Sequence, residues 1–426
     1  MVDPDEGGIG DTDHRGKHVS KAAGEHDRVS YADIFAVPEF RALFISRGLS
    51  TVGDYTARAG LVVAVFTETG SEALMGVTFA LTVLPDLIGG PLLAGLADRL
   101  PRRAVMVATD VGRALLVLVM AIPGMPLIAL WGLLFAIRLM DSPFGSSYMS
   151  TMSVVLPGKQ LVKGTAVTQL VNHVSYTVGY ALGGVVVALV GLSTVLVLNA
   201  ATFTISALIV LFGVVGRPAT ALPDSSSWVG STRTAVRYIV GRPRLLITML
   251  FAIAIAATLA TETLAAPYAV QIGYGPEIAG MLMGAGPAGI VLGIWILPML
   301  IPDQGPRHVA ALSILSCAPL ILFFVIPTPA AALALIIVSG ASLYYYIPLQ
   351  AEYTQTVPDS MRGQAVGLMF TMMRVTQGLA ILTFGLVATN VLSSTVIAVS
   401  GAIGTAIALV LSMWWVRTCR TTAVPQ

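Results

Sequence analysis

The chain has 426 residues, 56% of them hydrophobic and only 11% charged, and its formal net charge is +2. Soluble domains carry roughly 25% charged residues, so a compact soluble protein is excluded for want of a polar skin, and a mean hydropathy of +0.84 makes lipid the main solvent. Two cysteines, Cys317 and Cys419, are too few for a disulfide framework. No zinc-type spacing, nucleophile triad or nucleotide-binding glycine loop is visible, so no enzyme, metal, cofactor or ATP-driven motor is expected.

Residues 1–30 are charged, glycine-rich and nearly free of large apolar side chains. They cannot bury enough surface to order themselves, and they lack the apolar core of a signal peptide. A polar cytoplasmic leader is expected over 1–35. A membrane helix needs about 20 mainly apolar residues. On that measure spans fall near 42–66, 73–95, 104–122, 127–149, 165–190 and 193–215. A polar linker occupies 216–244, and its second part, WVGSTRTAVRYIVGR, reads either as a basic amphipathic helix on the inner leaflet or as a solvated connector. Further spans follow near 245–270, 277–301, 309–327, 330–354, 364–389 and 393–416, and the tail begins at 417.

The charges between the spans order this map. Nineteen of the twenty-four Lys and Arg residues lie in the leader, in alternate connections and in the tail, and the other connections hold none. Positive residues mark cytoplasmic loops, so both termini are expected in the cytoplasm of a cell-membrane protein. The halves also repeat. Pro38 and Pro243 stand 205 residues apart, as do Asp98 and Asp303 within ADRLPRRAV and PDQGPRHVA. LPGKQLVKG and VPDSMRG are similar loops at a comparable offset. Six spans per repeat gives two pseudo-symmetric six-helix bundles, 36–215 and 245–416, with substrate held between them at the midplane.

GLADRLPRRAVM resembles the signature loop of the major facilitator superfamily through Leu96, Ala97, Asp98, Arg99, Arg102 and Arg103. Ala94 and Pro101 stand where that loop usually has glycine. PEFRALF, STVGD, LPDLIGGPLLAGLADR, TDVGRALL and VPDSMRGQAVG resemble its macrolide- and siderophore-export branch, and the likeness runs from about residue 36 to the end. It implies an all-α fold of twelve transmembrane helices and a cytoplasmic gate built on Asp98, Arg99, Arg102 and Arg103. GYALGG, with Gly179, Gly183 and Gly184, resembles the antiporter motif of the family, with Tyr180 in place of proline.

Five arginines fall within spans: Arg47, Arg58, Arg113, Arg138 and Arg374. Asp54, Asp86, Asp110, Asp141 and Glu262 oppose them. Each such charge costs roughly 2.5–3.5 kcal/mol at mid-bilayer, so pairing or a watery cavity is required. Asp54 and Arg58 share a helix face at a spacing of four. Arg138 and Asp141, in RLMDSPFG, resemble the family's Arg-x-x-Gln-Gly motif, whose arginine is linked to proton transfer. Asp110 and Arg113 lie near the cytoplasmic side and read as part of the gate. Arg47 reads as a snorkelling structural residue, and Arg374 as structural too. Glu262 has no basic residue within a helical turn, so it needs either a distant arginine or a proton. Asp54, Asp86, Asp141 and Glu262 are therefore the proton-coupling candidates, with Arg58 and Arg138 as charge partners. Gln169, Asn172, His173 and Tyr176 form one possible polar stripe. Tyr344, Tyr345 and Gln350 are further cavity candidates, although three consecutive tyrosines point three ways. The function expected is proton-coupled export of an amphiphilic or apolar small molecule, such as an antibiotic, by a monomer that binds lipid but no nucleic acid. The alternatives are a siderophore-type exporter, an importer, and a sensor or scaffold that transports nothing.

Overall fold

A computed structural model describes residues 30–85, 88–89, 100–217, 228–301, 305–325, 328–358 and 361–421. The regular elements among them are all helical. The first group, before residue 217, comprises α1 (Tyr31–Ala36), α2 (Pro38–Thr69), α3 (Glu72–Ala80), α4 (Arg102–Met120), α5 (Leu127–Leu139), α6 (Asp141–Val155) and α7 (Lys159–Gly213). The second group opens with α8 (Trp228–Val240), α9 (Pro243–Ala254), α10 (Ala260–Thr263), α11 (Ala265–Gln271) and α12 (Pro276–Leu300). It continues through α13 (Pro306–Cys317), α14 (Pro329–Ser342), α15 (Tyr346–Thr356), α16 (Arg362–Ala388) and α17 (Ser393–Thr421).

Eight helices among the described residues are long and apolar enough to cross a membrane. One is the apolar part of α7, 54 residues long, which unbroken would reach ~80 Å, far more than a bilayer's ~30 Å hydrocarbon core. It breaks at Gly191, where φ is 78° and ψ is 164°. A side chain disfavours that left-handed backbone, and the break falls where the sequence predicts a connection. Both α2 and α4 have the length for a crossing, but charged side chains interrupt their apolar runs. Pro38 and Pro243 each open a helix, where proline's missing N–H costs nothing. The two prolines of the repeat thus hold the same local position.

Two expectations change. The end of the leader is ordered: α1 is closed by a capping box in which Ser30 Oγ accepts from Ala32 N at 3.3 Å and the Asp33 carboxylate accepts from Ser30 N at 2.6 Å. Ile34 is then fully buried. Within the linker, α8 forms as a helix but does not merely lie on a surface. It buries Ile239 in a core with Leu245, Tyr353 and Met369, because its apolar side has protein to cover it.

Among the described residues, the buried core shared by the two groups of helices lies at one end. A single core joins Val62, Phe66, Met75, Phe79 and Tyr180 of the first group to Leu264, Tyr268, Met283, Ile381 and Ile397 of the second. It lies towards the connections at Gly70, Gly273 and Thr389–Leu392. At the other end the cores are separate: Phe40, Met106, Phe144 and Val210 pack within the first group, and Ile239, Leu245 and Met369 within the second. The closed end depends on glycine. A Cβ on Gly184 of α7 would lie 2.3 Å from the Pro276 carbonyl oxygen and 2.7 Å from Gly280 N of α12. Backbones approach this closely only where no side chain intervenes.

Candidate functional site

Two adjoining cavities lie between the groups. The first, about 340 Å³, is lined by Arg47, Asp54, Arg58, Arg113, Arg138, Asp141 and Arg374, among others. The second, about 430 Å³, is lined by Gln169, Asn172, His173, Tyr176, Tyr180, Glu262 and Gln377, with Phe79, Val83, Leu259 and Ile381. Arg47, Thr51, Tyr55, Arg58 and Arg374 border both. Four of these stand at spacings of four, four and three along α2, which puts them on one helix face.

The local pairs read from sequence form, and tertiary contacts link them. Arg58 binds Asp54 at 3.1 Å. Asp54 also takes Arg138 of α5 at 2.9 Å through both carboxylate oxygens. Arg138 reaches Asp141 at 2.6 Å, and Asp141 takes Arg113 of α4 at 2.6 Å. Arg113 then pairs with Asp110, whose second oxygen accepts from Ser206 of α7 at 2.7 Å. Three arginines and three aspartates therefore alternate along one chain that crosses α2, α5, α6, α4 and α7. Asp110 is fully buried and the Arg113 side chain is 4% exposed, so each charge depends on its neighbours. Arg113 also lies 4.6 Å from the ring centroids of both Phe144 and Phe203, which cover a cation otherwise short of water.

Beside Arg58 a second network, built on tyrosines, begins. Arg58 donates to the Tyr180 hydroxyl and lies 4.7 Å from the Tyr55 ring centroid. Tyr55 stacks on Tyr176 at 4.5 Å, and Tyr180 meets both rings edge-on at 5.3 and 4.6 Å. The Tyr176 hydroxyl donates to Glu262 Oε2 at 2.6 Å. Glu262 is only 8% exposed and follows a 3₁₀ stretch, Ile255–Leu259, that interrupts its span. A 3₁₀ segment inside a longer helix often marks a hinge. The one carboxylate of this cavity wall that belongs to the second group is thus anchored by a tyrosine of the first.

Residues 43–381 match the family model of the Major Facilitator Superfamily. The chain belongs to that superfamily. An uncharacterised transporter of the superfamily from Bacillus subtilis (strain 168), YfiS, is 24% identical over 348 residues, covering 76% of this chain and 81% of that one. Crystal structures share the fold. The nucleoside transporter NupG matches with a TM-score of 0.69 at 17% identity, over 88% of this chain and 99% of NupG. A peptide transporter of the POT type gives 0.71 at 13%, over 92% and 99%. A bacterial homologue of the lysosomal transporter Spinster, in an inward-facing and unoccupied conformation, gives 0.62 at 14%, over 89% and 94%. This superfamily member is accordingly a multi-pass membrane transporter.

Of the signature loop, Asp98 and Arg99 lie outside the described residues, as does Asp86. Arg102 donates to the Ser150 carbonyl of α6 at 3.0 Å and Arg103 to the Val214 carbonyl just beyond α7 at 3.2 Å. Asp110 and Arg113, expected as gate residues, belong to the buried ion chain. The stripe on α7 does assemble, since Gln169, Asn172, His173 and Tyr176 all line the second cavity. Tyr344, Tyr345 and Gln350 line neither cavity. Tyr345 is buried with Phe251 and Trp415 and donates to the Phe251 carbonyl at 3.3 Å, and Tyr344 packs on the same cluster. The 3₁₀ turn Leu343–Tyr345 has three residues per turn, which shifts the phase of that helix away from the α-helical reading. Arg47 and Arg374, read as structural, both face the cavities. Their spacing to Thr51 and Gln377 was the available signal.

The glycines of GYALGG do identifiable packing work. A Cβ on Gly179 would meet Tyr55 Cβ at 2.6 Å, and one on Gly183 would meet Ala59 Cβ at 2.5 Å, both on α2. Gly184 faces α12. The motif lets α7 pack on two partners at once.

Proposed function

We propose that this transporter exports an amphiphilic small molecule in exchange for protons, through twelve spans arranged as two six-helix halves with both termini cytoplasmic. Under that topology the joined core seals the outer end and the cavities open inwards, which is the state that would load cytoplasmic cargo. The carrying observation is the pair of networks at the cavity: an Arg–Asp chain that ends at Arg58, and Glu262 held across the interface by Tyr176. Protonation of Glu262 would remove its charge from the closed interface, and protonation of Asp54 or Asp141 would release an arginine. Either event changes the relative stability of the two arrangements that alternating access requires. The polar lining favours an amphiphile over a purely apolar cargo. In this reading Asp98, Arg99, Arg102 and Arg103 form the inner gate, which must close when the outer end opens.

The test is transport in proteoliposomes with an imposed pH gradient across a panel of compounds. Accumulation of at least one amphiphile that depends on the gradient and collapses with a protonophore is expected. Accumulation unaffected by the gradient would remove the proton from the scheme. Topology is tested separately: reporters fused at Gly124 or Gly273 should read outside, and at Gly158 or Gly305 inside.

A further inference from the structure

The two cavities are lined by five arginines and three carboxylates, Asp54, Asp141 and Glu262. Every one of those carboxylates is engaged. Asp54 and Asp141 share Arg58, Arg138 and Arg113, and Glu262 is held by Tyr176. That leaves Arg47 on α2 and Arg374 on α16. Neither forms an ion pair among the described residues. Arg47 uses only Nε, which donates to Asn172 Oδ1 at 3.4 Å, and its guanidinium lies 5.7 Å from the Phe144 ring centroid and 6.0 Å from that of Tyr148. Its two terminal amino groups make no hydrogen bond among the described residues. Arg374 is exposed although it stands thirteen residues into the 27-residue α16, too far from either end to snorkel. It faces the cavity, with Gln377 one turn on along the same wall.

An arginine at mid-span is expensive unless it is paired or solvated. Arg374 stands at mid-span and Arg47 is the tenth residue of α2, one from each group of helices, and both border the same pair of cavities. Free guanidinium forks match carboxylate and phosphate oxygens two at a time. The second cavity continues past them to Phe79, Val83, Leu259 and Ile381, an apolar pocket closed by the joined core. We propose that Arg47 and Arg374 together hold the anionic group of the transported molecule, whose apolar body fills the pocket beyond, so that the substrate class is organic anions with a hydrophobic moiety. The inference deepens the transport reading above and rests on it for the site, but not for the direction or the proton. An anion shared by α2 and α16 also offsets the excess positive charge that otherwise opposes approach of the two groups at the open end, which gives loaded and empty carriers different preferences for closure.

The test uses the purified full-length protein in neutral detergent, with thermal unfolding followed by tryptophan fluorescence. Naphthylacetate, naphthylacetamide and naphthylethylamine present one ring system with negative, neutral and positive groups. Naphthylacetate should raise the unfolding midpoint saturably, and the other two should not. Arg47→Gln and Arg374→Gln should each weaken the apparent affinity for naphthylacetate about tenfold or more, while the Lys variants keep part of it. Neither Gln variant removes an ion pair, so their unliganded midpoints should stay close to the parent's, and the readout is charge selectivity rather than stability. Equal stabilisation by the amide or the amine overturns the proposal, as does stabilisation by none of the three. So does an anion preference that survives both Gln substitutions. Phosphatidylglycerol, added in parallel, separates cargo from lipid: stabilisation by the lipid alone overturns the substrate claim. If naphthylacetate binds as expected but no pH gradient drives its movement, the arginine site stands and proton-coupled export falls. If a gradient drives only neutral or cationic compounds, export stands and the anion site falls.

Discussion

The helices before residue 217 and those after residue 228 handle polarity in lipid by different means. The first group carries most of the cavity charge and, Arg47 apart, pairs it among its own helices: six alternating Arg and Asp residues bind α2, α4, α5 and α6 into one body, with α7 attached through Ser206. Among the described residues the second group brings two charged side chains, Glu262 and Arg374, to the cavities, and neither has an ion partner within that group. Its irregularity is in the backbone instead. Two 3₁₀ stretches, Ile255–Leu259 and Leu343–Tyr345, interrupt its helices, a third, Ala318–Val325, follows α13, and α12 contains Pro287 and Pro298. A self-contained ion network resists deformation because moving one member strands the others. A charge-poor group with broken helices can bend at little electrostatic cost. The difference assigns the first group the part of a rigid frame and the second that of the element that yields during a transport cycle.

The largest effect should come from the middle of the ion chain. Arg138→Gln leaves Asp54 and Asp141 facing each other's charge without the cation they share. Breaking a buried pair by removing one partner costs roughly 3–5 kcal/mol. The variant should unfold at a much lower temperature and lose transport, and Arg138→Lys should recover only part of either. Arg374→Gln, in the second group, should change stability by less than about 0.5 kcal/mol, as an exposed side chain without a partner does. Equal destabilisation by the two substitutions would remove the contrast between frame and yielding element.

A smaller effect is expected at the closed end. Gly184→Val places a side chain where the Pro276 carbonyl and Gly280 already stand. Overpacking of this kind costs about 1–3 kcal/mol, and here it falls on one conformation, because the contact exists only where α7 meets α12. Cysteine pairs across the closed end should therefore cross-link more slowly in this variant than in the parent, and labelling of the outer entrance should rise. Unchanged cross-linking would mean that the approach of α7 to α12 does not hold this end shut.

What the sequence could and could not tell follows the range of each interaction. The eight helices long and apolar enough to cross, the break at Gly191 and the pairs Asp54–Arg58 and Arg138–Asp141 are legible because hydropathy and helical spacing are local. The links Asp54–Arg138 and Asp141–Arg113 were not, since they depend on how α2, α4 and α5 rotate against one another. Glu262 was correctly singled out as lacking a local cation, but its tyrosine partner lies 86 residues away in sequence. Arg47 reads as structural because it lies near enough to the end of its span to snorkel, and the spacing of Arg47 and Arg374 to the polar Thr51 and Gln377 is too weak a signal by itself to show which face meets water. The tyrosines at 344–346 misled for another reason: their 3₁₀ turn changes the period on which a face is counted.

The least destabilising substitution should be the most informative about coupling. In Glu262→Gln the amide oxygen can still accept from Tyr176, so the bridge between the groups persists and stability should change by no more than one ordinary hydrogen bond, about 0.5–1.5 kcal/mol. The charge, however, is gone in every state. If Glu262 carries the proton, the variant imitates permanent protonation: ligand binding should survive, exchange of substrate across the membrane should survive, and accumulation driven by a pH gradient should disappear. Tyr176→Phe makes the complementary change, since it keeps the carboxylate and removes its donor. It should leave gradient-driven transport in place and alter its pH dependence, because the carboxylate loses its hydrogen-bond donor. Asp54→Asn serves as the control from the frame. It strips Arg58 and Arg138 of a shared partner, so it should harm stability and transport together. A Glu262→Gln protein that still concentrates substrate against its gradient at the parent's rate would exclude this residue from coupling, and the proton would then have to be sought at Asp54 or Asp141 inside the ion chain.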